Sequence, residues 1–310
     1  MADEKDTVPR RKRTEADISA SLARAKERGK AAANAPEPAA AKLVDFFLAN
    51  LSDFAIKDDV GSMEAPMFSL STQPDMTMWL WQSADCKKTV VVEPSTIGRA
   101  TMHDKDVLIY CTSQIVAAIN AGKRRSRVVR FNAADYFRAT KRATGRAASS
   151  DDYERFKESL KRLRGTQITT NIATAKTREE RGFGFIDSWG VIESDKDRRM
   201  VAVEVELSRW LYRAIEAQEV LTINPAYFTL RKPLERRLYE IARKHVGKQA
   251  SWEIRLDVLR DKCGSKVFRL RQFAGDIGKI IEADTLPDYL MEVKESAGLT
   301  VIFKPRPRIS

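Results

Sequence analysis

Only three cysteines occur in the 310 residues, Cys86, Cys111 and Cys263. They are too few and too far apart for a disulfide framework, and no Cys-x-x-Cys or Cys/His spacing points to zinc. Histidine is scarcer still, with His103 and His245 the two in the chain. That excludes the paired metal-binding histidines which rolling-circle initiators and relaxases use beside a nucleophilic tyrosine. No apolar run approaches the ~18 residues of a membrane span, and the charged N-terminus lacks the apolar centre of a secretory signal. The expectation is a protein of a reducing cytoplasm, with no membrane partner. Phosphate loops are missing too: "NAGKRRS" (120–126) lacks the required earlier Gly and follows Lys with Arg, and "RGFGF" (181–185) offers a bare Gly-x-Gly. No metal or cofactor is implied.

Large apolar side chains are nearly absent from residues 1–41, which are rich in Ala, Lys, Arg and Glu and end in "AAANAPEPAAA". Such a segment buries too little surface to offset its ordering entropy and reads as a disordered tail. Its "PRRKR" either touches phosphate or serves as a solvated arm.

What the chain does have is basic charge, a formal +12 with a pI near 9.6. The excess falls in two islands, +9 over residues 120–170 and +8 over 229–272, while the blocks 1–119, 171–228 and 273–310 carry −2, −2 and −1. Solubilising charge would be scattered; two concentrated islands in a folded chain suggest a polyanion touched twice.

From residue 42 the pattern becomes globular. "KLVDFFLANL" is a short apolar run, "TMWLW" and "KKTVVVEP" read as strands, and "HDKDVLIYCTSQIVAAINAG" as a buried helix stopping at Gly122. Next come a strand at "RVVRF", a helix capped by Asn132 and a helix over about Asp151 to Arg164. The strands "TQITTNIAT", "GFGFIDSWGVIES" and "MVAVEVEL" follow. The second half repeats the order: "KPLERRLYEIARKHVG" helix, "SWEIRL" strand, "DVLRDKCG" helix, "VFRLRQFAGDIGKIIEAD" helix, then the hairpin "DYLMEV" with "LTVIFKP". Even the junctions match, "VRFN" at 129–132 answering "IRLD" at 254–257. This is the element order of a winged-helix domain, twice in tandem. The fold expected is α+β, with a tail at 1–41, an N-terminal winged-helix domain at 42–206 and a C-terminal one at 207–310.

In the helix near 151–164, Tyr153, Phe156, Leu160 and Leu163 form an apolar stripe roughly 80° wide. The opposite arc carries Arg155, Glu158, Lys161 and Arg162, with Lys157 and Arg164 on one flank. A ridge of long donors suits a major groove about 12 Å wide. The same charges could instead pair along the helix or complement its dipole. In the second copy the stripe is Leu270, Phe273, Ile277, Ile280 and Ile281, and the opposing arc bears Arg271, Gln272, Gly275 and Lys279, with Arg269 on a flank. Arg and Gln make the bidentate contacts to guanine and adenine edges. Gly275 and Gly278 each cost about 1 kcal/mol in a helix interior, and either close approach to another backbone or tight packing within the protein would explain them. Lys123, Arg124, Arg125 and Arg127 are expected to hold phosphates.

"HDKD" (103–106) looks catalytic at first sight, but two acids at a helix start also stabilise its positive end. With no nucleophile or nucleotide fingerprint elsewhere, the chain reads as a binder and not an enzyme.

The segments "DFFLANLSDFAIKDDVGSMEAPMFSLS", "HDKDVLIYCTSQIVAAIN", "GFGFIDSWGVI", "VLTINPAYFTLRKPLERRLYEIARKHVG" and "LPDYLMEV" resemble the plasmid replication initiator protein A family over about residues 44–305. The resemblance implies a bacterial protein that binds origin repeats (iterons) in double-stranded DNA, helps melt the adjacent duplex and assists loading of the host initiator and helicase. It implies two winged-helix domains, the first serving DNA contact and dimerisation, the second the stronger base reading. A repressor with the same domains, acting on its own promoter as a dimer, is the alternative.

Overall fold

The computed structural model describes residues 55–123, 125–140, 148–173, 181–195, 200–296 and 298–307. The tail at 1–41, the run 42–51, Arg124 and most of the two polar turns, at 174–180 and 196–199, lie outside the described residues. Lys57–Asp59 (β1), Val60–Glu64 (α1), Trp79–Gln82 (β2) and Thr89–Glu93 (β3) lead into the long helix Lys105–Asn120 (α2). Next come Val128–Phe131 (β4), Ala133–Ala139 (α3), Ser150–Gly165 (α4), Gln167–Thr170 (β5), Arg181–Phe183 (β6), Ile186–Glu193 (β7) and Met200–Leu207 (β8). Arg209–Glu216 (α5), Val220–Thr222 (β9) and the 3-10 turn Pro225–Thr229 connect to the second half. That half comprises Pro233–Val246 (α6), Trp252–Arg255 (β10), Leu256–Cys263 (α7), Leu270–Ala283 (α8), Tyr289–Ser296 (β11) and Gly298–Pro305 (β12). The architecture is mixed α and β, and every pairing between these strands is antiparallel.

The internal repeat is carried by topology. The short strand β4 pairs with the last strand of the following hairpin, giving the order β4-β8-β7, and β10 does the same, giving β10-β12-β11. A long helix precedes each short strand, and two helices separate it from its hairpin. The first copy departs by inserting β5 and β6, which extend β2 and β3 into the sheet β2-β3-β5-β6.

Local chemistry sets these elements. Asn132 caps α3, its side chain accepting from Ala134 N at 2.8 Å. Ser149 and Asp152 form a reciprocal capping box at the start of α4, which satisfies two orphan donors and fixes the frame of the helix. Phe156, Leu160 and Leu163 are fully buried, with Ser159 beside them, and Phe156 packs on Tyr136 with ring centroids 4.9 Å apart. The helix α8 starts later than its sequence suggests. Gly264 adopts a left-handed conformation (φ 73) that closes α7, and the Ser265 hydroxyl accepts from Val267 N at 3.3 Å. Local turn bonds therefore outcompete the helix until Arg269, leaving Val267 and Phe268 outside it.

Two apolar cores result. The first gathers β3–β5, α2–α4 and the β7–β8 hairpin, and it continues through Trp210, Leu211 and Ile215 of α5. The second gathers α6–α8 and the β10–β12 sheet, and it also takes in Ile56, Met63 and Ile109 from the first half of the chain. Core membership thus does not change at a single point in sequence.

Between the cores lies a group of buried charges. Lys105, with no exposed side chain, places Nζ 2.7 Å from Asp58 and 2.9 Å from Glu240. Arg236 pairs with Asp106, and Arg237 donates to Ser62 O at 2.8 Å and lies 3.3 Å from Glu240. Tyr227 Oη donates to Glu240 at 2.8 Å. Nearby, Glu64 meets Lys244, Lys262 at 3.2 Å and Lys88 at 3.3 Å. Burial favours the neutral acid, but Lys244, Lys262 and Lys88 hold the Glu64 carboxyl far below its ordinary range. Burial in turn pushes Lys244 down to about 8. Part of the second basic island is therefore interior: Arg236, Arg237, Lys244 and Lys262 neutralise buried acids. A count along the sequence registers the cations but not the partners folded against them.

Candidate nucleic-acid interface

The outward face of α8 is built by its own periodicity. Phe273, Ile277 and Ile280 go into the second core, with Leu270, Ala274 and Ile281 half-buried beside them. The opposite arc leaves Arg271, Gln272, Gly275, Gly278, Lys279 and Glu282 exposed, and Arg269 is exposed at the N-cap. Arg269 and Arg271 have no ion-pair partner among the described residues, and Lys279 is only loosely matched by Asp276 at 3.7 Å. A Cβ added at Gly275 or Gly278 would meet nothing within 4 Å. Packing among the described residues therefore does not account for these two glycines. The helix presents a bare backbone strip between cationic and amide side chains.

On α4 the expected ridge is divided. Arg155, Lys161 and Arg164 are exposed, without an ion-pair partner among the described residues. Arg162 is turned inward: Nε and Nη2 donate to Asp104 at 2.8 and 2.9 Å, and Nη1 lies 3.6 Å from Glu158. Asp104 is 2% exposed; burial opposes its charge, yet the Arg162 guanidinium keeps its carboxyl below the ordinary value. Lys157 is held at 3.0 Å by Glu193 on β7 and at 3.3 Å by Glu154. So Arg162 and Lys157 fasten α4 to its neighbours, and the other three cations project from it. Arg155 and Arg162 also line a cleft of about 550 Å³ that they share with Gln73, Arg99 and His103.

In the stretch following α2, Lys123 and Arg125 are exposed, while Arg124 lies outside the described residues. Arg127 is spent internally, pairing with Asp187 and, at 2.6 Å, with Glu206, and donating to Leu207 O at 3.1 Å. It ties β4 to the β7–β8 hairpin.

The "HDKD" residues diverge. Asp104 makes no side-chain cap on α2 but accepts from Thr101 N at 2.8 Å and from Arg162. Lys105 and Asp106 reach Glu240 and Arg236 on α6, and His103 lines the cleft. Sequence reading treated this run as a helix start with a chance of catalysis and missed its three separate ties. The one signal available was a Lys between two acids at the head of an otherwise apolar helix. Among the described residues no group of three or more His, Cys, Asp or Glu could hold a metal ion, and no helix is long and apolar enough to cross a membrane.

Taken together, α8 offers a cationic face whose two arginines have no ion-pair partner among the described residues, and α4 three further projecting cations. Against that geometry, residues 57–291 match the model of replication initiator protein A. The chain belongs to that family. The initiator is also 34% identical over 254 residues to a protein of Wigglesworthia glossinidia brevipalpis named "Putative replication protein", covering 80% of this chain and 89% of that one. In fold it is similar to two crystal structures of domains 2 and 3 of RctB, both at 12% identity. One, of the selenomethionine derivative, has a TM-score of 0.54 and covers 79% of the initiator and 96% of the RctB chain. The other has a TM-score of 0.50 and covers 84% and 98%.

Proposed function

We propose that this replication initiator is a sequence-specific duplex-DNA-binding protein that recognises repeated sites at a plasmid origin, promotes melting beside them and brings in the host initiator and helicase. The observation that carries the reading is the open face of α8, where Arg269 and Arg271, with no ion-pair partner among the described residues, stand with Gln272 beside a bare glycine strip. The repeated strand order supports two winged-helix domains. Here α3–α4 and α7–α8 are the helix pairs, and the β7–β8 and β11–β12 hairpins are the wings. In this arrangement α8 lies in a major groove with Arg269, Arg271 and Gln272 at base edges and Lys279 toward a phosphate. Arg155, Lys161 and Arg164 of α4, with Lys123 and Arg125, supply contacts one helical turn away. Arg127, Lys157 and Arg162 position those elements from within. The protein acts by binding and not by cutting DNA.

Footprinting on the DNA adjoining the gene tests this. Repeated protected sites of about 20 base pairs are expected, two successive grooves lying about 10 to 10.5 base pairs apart. Uniform coverage without preferred sites would overturn it.

A further inference from the structure

Phe268 is 91% exposed, although a large apolar ring gains by leaving water. Its neighbour Val267 does leave water, packing against the second core. The segment is not loose. Ser265 N donates to Arg260 O at 3.1 Å, Lys266 reaches Asp75 at 2.6 Å and Thr77, and Arg260 Nη1 donates to Phe268 O at 3.1 Å. The backbone is thus fixed on both sides of a ring that touches solvent. That ring stands immediately before Arg269 and Arg271, so whatever covers it is anionic and also offers something apolar at the same place. In a major groove the apolar feature is the C5-methyl group of thymine, which a Phe side chain can contact.

We propose that Phe268 is a specificity-determining residue, packing its ring on a thymine methyl beside the bases approached by Arg269, Arg271 and Gln272. This rests on the reading of α8 given above. It assigns to the connection between α7 and α8 a base preference that the polar side chains alone do not supply.

The test uses the full chain and its footprinted site in a cycle of Phe268→Ala against single thymine-to-deoxyuridine replacements. Phe268→Ala should weaken the site about tenfold and leave random duplex unchanged. One deoxyuridine replacement should cost the wild type about as much, and cost Phe268→Ala nothing further. Phe268→Leu should recover part of the loss and remain sensitive to the same thymine. Additive losses, equal losses on random DNA, or no loss would overturn the assignment. A change in self-association of Phe268→Ala without DNA, by sedimentation, would overturn it too, making the ring a contact between copies. If Arg271→Ala relaxes specificity while Phe268→Ala does nothing, α8 still reads DNA and this inference alone fails. If no site-specific binding exists, both fall.

Discussion

Arg162 illustrates how a residue's surroundings decide its work. Both it and Arg155 sit on the polar side of α4, yet a buried carboxylate claims Arg162 and leaves Arg155 projecting. Removing one partner of a buried ion pair strands the other, so Arg162→Ala should lower stability by about 3 kcal/mol, read by urea unfolding, and Arg155→Ala should lower it little. His245 gives a pH counterpart. It stacks on Trp252 with ring centroids 4.5 Å apart, and burial, then Lys262, pushes it down to about 4. The unfolded chain, with His near 6.5, binds the proton more readily, so stability should fall as pH drops from about 6.5 toward 4, by on the order of 1–3 kcal/mol. Thermal unfolding at pH 7 and 5 measures the drop, and His245→Asn should diminish it. At this scale the sequence revealed little. It identifies Lys105 and Arg236 as charged residues, but Asp58 lies 47 positions from Lys105 and Asp106 lies 130 from Arg236, and no local pattern encodes that pairing.

Elements were more legible, because they depend on spacing and caps. The α4 stripe, the Asn132 cap, the strands β2 and β3, the β11–β12 hairpin and the end of α2 just before Gly122 all follow from local residues. The late start of α8 did not, since the turn around Gly264 is set by bonds back to α7. The glycines of α8 could be read from sequence as either packing or approach, and only the neighbourhood distinguishes these. Gly275→Ala and Gly278→Ala should each stabilise the helix by about 1 kcal/mol, since the added methyl is unobstructed, while weakening binding to the footprinted site. Denaturant melts and mobility shifts on the same variants check the two opposed signs. Loss of stability would mean a hidden neighbour, and unchanged binding would mean that the strip faces no ligand. Arg271→Ala should relax discrimination at one base position, whereas Lys161→Ala should weaken all duplexes alike.

Across the whole molecule, the two cores are joined by apolar residues that cross over and by ion pairs shut away from water. Residues 55–307 should therefore unfold in one transition, and Lys105→Met, which leaves Asp58 and Glu240 facing each other, should cost about 3–5 kcal/mol or split the calorimetric peak in two. Contact with six or more phosphates would reduce affinity about 10³-fold or more between 50 and 200 mM salt, and a flat titration would contradict a two-groove footprint. The tandem order was visible in the sequence as a succession of elements. The junction was not, although the long motifs "HDKDVLIYCTSQ" and "PLERRLYE" that carry the family likeness are the segments that build it. This bears on how new specificities would be engineered. Exchanging whole halves between relatives would pair mismatched junction charges and leave each hybrid with orphaned ions, so retargeting is better attempted by transplanting the outward side chains of α8 alone, with everything beneath them kept as it is.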